Sequence, residues 1–367
     1  MLERKIDEIL NKWSCLKNKK PLIVRGARQI GKTTSIRKLG SSYESFIEIN
    51  FLEKPEYISI FSGNLDVDTL LLNFSVYMPD ANFVTGKTLL FLDEIQECPD
   101  AMTSLKFFHE DKRFDVIASG SMLGIDYKRP KSFPVGAVEY VEMCPLSFEE
   151  FLWAKGMAEA VNSYIDNNNI KSCFDTQETI LKDYRYDIAH YAPPDIKIKA
   201  EKCYFSLPKQ VSKENHKFKY SVVEKGGNAR KYKTSLDWII GSYLTVTCNN
   251  VSKMSSPLIG YKDDSSFRMY ATDIGLFTAM YGYSVKASLI MDSFDKENGL
   301  IRGGIYEATI ADMLYKNGRA NLYFRKTEDS SFEIEFLIET EDGVIPIEVK
   351  SNNSRSKSLD NSLKKDE

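Results

Sequence analysis

No segment of this 367-residue sequence comes near the roughly 20 consecutive apolar residues that a membrane span needs. Its first residues, Met1-Leu2-Glu3-Arg4-Lys5-Ile6-Asp7, mix charges at once and lack the apolar run of a secretory leader. Cysteine is sparse: Cys15, Cys98, Cys144, Cys173, Cys203 and Cys248 are scattered, with no C-x-x-C pair. The three histidines, His109, His190 and His216, stand equally apart. These spacings argue against a zinc cluster and a disulfide framework, and reduced thiols in a cytoplasmic protein are the simple reading. A surplus of one charge sign is missing as well. At a net charge of −3 nothing draws the whole chain to nucleic acid, so any such binding must come from a local patch.

What is present is core-forming material. With 43% hydrophobic and 12% aromatic residues the chain can bury a sizeable interior, and its length suggests two or three domains. Leu2, Ile6, Ile9, Leu10 and Trp13 recur at helical spacing, and Lys17-Asn18-Lys19-Lys20 marks a turn. Short apolar runs of strand length follow at Leu22-Ile23-Val24, 46–49, Leu89-Leu90-Phe91-Leu92 and 114–117, with helical stretches such as 33–39 and 102–110 between them. This alternation indicates βαβ units and a parallel sheet covered on both faces. Residues 135–143 add a further strand before Pro145-Leu146-Ser147-Phe148-Glu149-Glu150, which reads as a capped helix start.

From 156 to 290 helical patterns dominate, with Ala192-Pro193-Pro194 as a break. Near 300 the pattern changes again, to a helix around 305–316 and a hairpin at 332–350. The polar tail 351–367 reads as disordered.

Gly26-Ala27-Arg28-Gln29-Ile30-Gly31-Lys32-Thr33 matches G-x-x-x-x-G-K-[ST], placed between an apolar strand and a helix as the motif requires. The two glycines let the loop wrap closely and aim successive N–H groups, through Thr34, at phosphate oxygens. The positive end of the helix dipole adds to the cradle. Lys32 would bridge the β- and γ-phosphates, and the Thr33 hydroxyl would ligate Mg²⁺. Residues 88–94 form a second element, a buried strand ending in two carboxylates. Asp93 would hold the metal, and Glu94 would polarise the attacking water. Residues 116–121 read as another strand ending in small polar side chains, which makes Ser119, then Ser121, candidates to sense the γ-phosphate. ATP and Mg²⁺ are the cofactors that this set calls for.

Together with Pro21-Leu22-Ile23-Val24-Arg25, Leu92-Asp93-Glu94-Ile95-Gln96, Pro145-Leu146-Ser147-Phe148-Glu149-Glu150, Leu207-Pro208, Asp273-Ile274-Gly275-Leu276 and Ile347-Glu348-Val349-Lys350, these residues resemble one family of the AAA superfamily. Its members are prokaryotic ATPases with a C-terminal domain of unknown function. The resemblance implies an α/β fold: a P-loop NTPase parallel sheet over 1–155, a helical or winged-helix region over 156–290, and a small restriction-endonuclease-like α/β domain over 291–350. It also implies assembly into a homo-oligomer.

Two positions depart from that family. Ala137 stands where relatives often carry a basic residue, a candidate arginine finger, so fast hydrolysis would need a substitute such as Arg113 or Arg129. In the C-terminal hairpin, Phe332, Ile334, Phe336 and Ile338 alternate with Glu333, Glu335 and Glu339, and Ile345, Ile347 and Val349 alternate with Glu348 and Lys350. A turn at Asp342-Gly343 sets Glu335 opposite Lys350, while a turn at Glu341-Asp342 sets it opposite Glu348. With Glu307 from the preceding helix, Glu335, Glu348 and Lys350 look like a metal-dependent nuclease core. Relatives usually have Asp at position 335, and here the chain reaches Glu367 without the helix and strand that such a fold normally adds, so nuclease activity is not expected.

Finally, 197–233 holds eleven Lys or Arg against three Glu. It reads either as a solvated helical face or as a DNA-binding surface. Three functions compete: an ATP-driven switch acting on DNA, an ATP-gated nuclease, and a nucleotide-dependent protein scaffold.

Overall fold

The run Thr88–Asp93 is buried at all six positions, because alternate side chains feed two different cores. Leu90 and Leu92 join Ile23, Ile47, Ile49, Val116 and Ala118 on one face, where they meet Phe61, Leu70, Phe74, Leu105 and Phe108. Leu89 and Phe91 join Leu22, Val24 and Ile117 on the other, against Ile6, Leu10, Trp13, Ile36 and Leu39. A strand that is apolar at every position is what a sheet covered by helices on both sides requires.

The computed structural model describes residues 4–121, 134, 136–147, 150, 170–212, 217–290, 299–318, 321–327 and 332–350. Two units divide the chain, Met1–Ala158 and Glu159–Glu367. The first runs α1 (Lys5–Ser14), β1 (Leu22–Gly26), α2 (Lys32–Gly40), β2 (Ser45–Asn50), α3 (Val67–Tyr77), β3 (Thr88–Asp93), α4 (Pro99–Asp111), β4 (Asp115–Ser121) and β5 (Glu139–Glu142). Its five strands pair in the order β2-β3-β4-β1-β5, all parallel. Local chemistry sets the helix starts. Asp66 caps α3 by accepting from the Thr69 N–H at 2.9 Å, and Pro99 opens α4, where its missing N–H costs nothing. Ser147 and Glu150 exchange the two bonds of a capping box, at 2.8 and 3.2 Å, as the sequence led us to expect.

The second unit begins with helices: α5 (Ile170–Tyr191), α6 (Lys197–Phe205), α7 (Leu207–Val211), α8 (Tyr220–Val223) and α9 (Ala229–Gly241). The break between α5 and α6 falls on Ala192-Pro193-Pro194. Then come β6 (Thr245–Val251), β7 (Lys262–Ala271), α10 (Ile274–Ala279), α11 (Tyr283–Ile290), α12 (Gly299–Lys316), β8 (Leu322–Lys326), β9 (Glu333–Thr340) and β10 (Gly343–Ile347). These strands form one mixed sheet, β10-β9-β8-β6-β7. Strand β6 pairs in parallel with β8, for example Cys248 with Leu322. The change of pattern near 290 therefore runs through a single sheet, because strands on either side of it are hydrogen-bonded neighbours. In the hairpin, Gly343 pairs with Thr340, so the turn is Glu341-Asp342. Ile347 pairs with Phe336, which sends Glu348 towards Glu335 rather than Lys350. Arg129, Lys213, most of the helix expected after Pro145 and the tail 351–367 lie outside the described residues.

Leu92 is fully buried immediately before Asp93, whereas Leu72 on α3 is 69% exposed. We expect Leu92→Ala to cost about 2–5 kcal/mol and Leu72→Ala less than about 0.5. Urea unfolding of the first unit measures both.

Candidate functional site

The carboxyl ends of β1, β3 and β4 lie side by side, with Val24 opposite Ser119, Gly26 opposite Ser121, and Leu92 opposite Ala118. Crevices at such strand ends are where open parallel sheets place their ligands. Three sequence elements meet there. From β1 the loop 26–31 leads into α2, and Gly31 at φ +95° turns the chain in a way that suits glycine. Gly26 is required for a different reason. A Cβ there would stand 2.2 Å from the Met143 carbonyl oxygen, so only glycine lets the loop start against the chain leaving β5.

At the start of α2, Lys32 is only 8% exposed, and its ammonium donates to the Gly26 and Ala27 carbonyls at 3.1 and 2.7 Å. The next residue, Thr33, donates its hydroxyl to Asp93 Oδ2 at 2.9 Å. Ser119, fully buried on β4, donates to the other oxygen of the same carboxylate. Asp93 is 3% exposed and also accepts from the Glu94 N–H at 3.0 Å. Glu94 adopts a left-handed backbone, φ 52°, and its carboxylate is held by the Gln96 amide. A non-glycine residue in that region is strained, and such strain concentrates at functional positions. Gln29 in the loop shares it, at φ 61°. Ala27 is buried, Arg28 and Ile30 are partly covered, and Gln29 and Thr34 are exposed.

The sequence therefore pointed to residues that do converge: the loop, Lys32, Thr33, Asp93, Glu94 and Ser119. A hard carboxylate and a hydroxyl within 3 Å of each other suit the donor set that Mg²⁺ takes. Ser119, however, is turned onto Asp93. Arg113 pairs with Asp111 and Asp68, at 2.8 and 2.6 Å. Ala137 is buried.

Sequence reasoning missed Arg4, Glu150 and Gln96. Arg4 is 7% exposed and reaches the Ile30 carbonyl inside the loop at 2.6 Å. Nothing in the pattern marked it, since a charge beside apolar residues at a chain end looks solvated.

The acids of the second unit behave differently. Glu307 on α12 accepts from the Arg268 guanidinium at 2.7 Å and from the Tyr270 hydroxyl. Arg268, 1% exposed, also pairs with Glu333 and lies 4.2 Å from the centre of the Phe324 ring. Lys350 pairs with Glu348. Among the described residues no three acidic, His or Cys side chains form a group that could hold a metal ion. Glu307 is thus committed to an internal cation, and Glu307, Glu335 and Glu348 do not fit the magnesium site that the resemblance implied.

Burial, with Glu307 and Glu348 nearby, pushes the Glu335 carboxyl up from 4.5 to about 7. A raised carboxyl pKa favours the folded state while the group is protonated. Stability of this unit should therefore be highest below pH 4.5 on this account and fall as pH rises to about 7. Glu335→Gln should flatten that slope in denaturant midpoints measured across the range, and an unchanged slope would contradict it.

Comparison with known proteins now bears on the first unit. Residues 18–152 match the family model of an AAA domain. Residues 146–287 match one domain of unknown function (DUF8612), and residues 302–367 another (DUF4143). No curated protein matches the chain. Among solved structures, it is similar to a Walker-type ATPase of Pyrococcus abyssi at 11% identity and a TM-score of 0.47, over 77% of this chain and 96% of that one. AMPPCP-bound DnaA of Aquifex aeolicus aligns at 12% identity and 0.28, over 64% and 84%. PCH-2 of C. elegans aligns at 13% and 0.23, over 57% and 60%. The five-stranded parallel sheet with its glycine loop has the P-loop NTPase fold, and the chain carries an AAA-superfamily ATPase domain followed by two domains of unknown function.

Proposed function

We propose that the first unit binds ATP with Mg²⁺ between the loop 26–33 and Asp93, hydrolyses it slowly, and acts as a nucleotide-driven switch. The observation that carries this reading is the 2.9 Å bond from Thr33 to Asp93, made beside a lysine that lines the same loop. Loop N–H groups and the start of α2 would receive the phosphates, and Lys32 would exchange its two carbonyl partners for β- and γ-phosphate oxygens. Thr33 and Asp93 would hold the magnesium, which neutralises charge on the phosphates when bound. Ser119 then serves the site by fixing the Asp93 carboxylate, while Glu94, steadied by Gln96, orients the attacking water and takes its proton. Slow turnover is the reading favoured by two described positions: Ala137 offers no charge, and Arg113 is engaged with two aspartates, while Arg129 lies outside the described residues.

Lys32→Ala should weaken ATP binding by about 100-fold, a loss comparable with removing one strong charge-assisted contact at 2–3 kcal/mol. Glu94→Gln should keep affinity and lower phosphate release by roughly 10²–10⁴-fold. Wild-type turnover above about 10 s⁻¹ would refute the slow-hydrolysis reading. Equal ATP affinity in wild type and Lys32→Ala would remove the site altogether.

A second reading, that the switch acts on DNA, is supported by α9. Its first turn contains no acid, yet it exposes Arg230, Lys231 and Lys233, cations at the positive end of the helix dipole. That placement is unfavourable for the helix alone and suited to a phosphate backbone. Part of the charge is already used: Glu224 binds the Tyr232 hydroxyl and pairs with Lys231 and Lys202 at 3.0 and 3.5 Å. Tyr204 and Phe218 are buried and belong to the core, leaving base stacking to neither. Replacing Arg230, Lys231 and Lys233 by Ala should reduce the salt slope of DNA binding by about 2–3. Binding that stays constant between about 50 and 200 mM salt would exclude phosphate neutralisation.

A further inference from the structure

Arg4 is engaged on all sides of its guanidinium, outside the proposed site. Its guanidinium donates from Nη1 to the Ile30 carbonyl at 2.6 Å, from Nη2 to the Cys144 carbonyl at 2.8 Å, and from Nε to Glu150 Oε1 at 3.1 Å. These partners belong to two segments far apart in sequence, the glycine loop and the chain that leaves β5. Glu150 completes the junction, since it also accepts from the Lys5 N–H and the Ser147 N–H, both at 2.8 Å. Burial disfavours the Glu150 charge, but the Ser147 N–H and the Arg4 cation outweigh it and hold the carboxyl below its ordinary range.

The same two stretches of chain touch again at Met143, one residue before Cys144, and at Arg25 and Gly26, where the loop begins. The Met143 N–H donates to the Arg25 carbonyl at 2.8 Å, and the Met143 carbonyl fills the space where a Cβ on Gly26 would project. A third tie comes from α2. Asp7 Oδ2 accepts from the Arg4 N–H at 3.2 Å and from the Lys38 ammonium at 2.7 Å, so the helix that follows the loop is anchored to the residue that grips the loop.

A planar guanidinium with both its partners' geometry fixed is stiff. When the Ile30 carbonyl moves, Arg4 cannot follow without loosening its bond to the part-buried Cys144 carbonyl or to the buried Glu150 carboxylate. A buried charge left without its partner is costly, so the alternatives are few. Phosphate binding aims the N–H groups of residues 29–33 at one point, and this orients the intervening carbonyls, Ile30 among them, away from it. The loop and the chain at 144–147 with Glu150 should therefore share one conformational equilibrium.

We infer that Arg4 is a positioning residue for the phosphate loop and links nucleotide occupancy to the conformation of residues 144–147 and of Glu150. This rests on the nucleotide-site reading above. Full-length wild type, Arg4→Met, Arg4→Lys and Glu150→Gln are to be compared for affinity towards a non-hydrolysable ATP analogue and for amide hydrogen exchange with and without it. In wild type the analogue should slow exchange at the Ser147 amide and its neighbours. Arg4→Met should bind the analogue about tenfold or more weakly and lose that protection. Arg4→Lys, which keeps the charge and loses the fork, should fall between them, and Glu150→Gln should keep affinity better than Arg4→Met while losing the protection.

Unchanged exchange at the Ser147 and Glu150 amides in wild type saturated with the analogue overturns the linkage, and that arm needs no variant to fold. Wild-type affinity and protection in Arg4→Met overturn it as well. Failure of the nucleotide-site reading looks different, because Lys32→Ala would then match wild type in affinity whatever Arg4 does.

Discussion

One carboxylate organises the first unit. Asp93 ends a strand whose other positions are apolar, and burial forces its oxygens to find donors. It finds them on two other elements: Thr33 on the helix after the glycine loop and Ser119 on the neighbouring strand. An ion so enclosed is costly unless its partners are well placed. The fold therefore keeps β1, β3 and β4 level at their carboxyl ends: the register sets Val24 opposite Ser119, and Leu92 opposite Ala118 one residue before Asp93 and Ser119. A ligand cation bound by Asp93 and Thr33 would take over work now done by one hydroxyl hydrogen. On the proposed reading, the contacts that make the sheet fit together are also the ones that would receive an oxygen-ligated cation.

Much of this was legible in the sequence because the signals were local and physically redundant. Leu89, Leu90, Phe91 and Leu92 spell a doubly buried strand, and Gly26 and Gly31 carry backbone demands that few other residues meet. The glycine loop and the Asp93-Glu94 pair needed no knowledge of distant contacts. The left-handed backbone at Glu94 was not legible, since nothing in a run of strand residues announces that the chain reverses its φ at the next position. Nor was the contact that Ser119 makes: a hydroxyl at a strand end faces whatever the adjacent strand supplies, and here that is Asp93.

Long-range partners account for the other misses. Arg4 and Glu150 are 146 positions apart; Arg4 alone reads as an ordinary charge, and Glu150 as half of a local capping box. Only the closure of the sheet by β5 next to β1 brings the outgoing chain to the loop. The change of pattern near 290 shows the reverse problem. Composition shifts there, yet β6 and β8 hydrogen-bond across it, since a parallel pair can be formed by segments joined through several intervening helices.

The C-terminal acids show why alternation of charges is weak evidence for chemistry. The hairpin turn at Glu341-Asp342 brings Glu335 and Glu348 to the same height, as one of the two registers required. What the spacing could not reveal was Arg268, contributed by a strand more than thirty residues before Glu307 in sequence. Its guanidinium lies under the Phe324 ring and takes Glu307 and Glu333 together, with Lys326 completing the balance at Glu333 at 2.6 Å. A fixed organic cation and a divalent metal satisfy the same need of a buried carboxylate, and a site built around the first has lost a ligand for the second. Glu335, meanwhile, stays in balance through its raised affinity for a proton. Arg268 closes the charge of Glu307 and Glu333 internally, while one buried oxygen each of Glu335 and Glu348 has no hydrogen-bond partner, so the reading of Glu307 follows from its partners rather than from the motif.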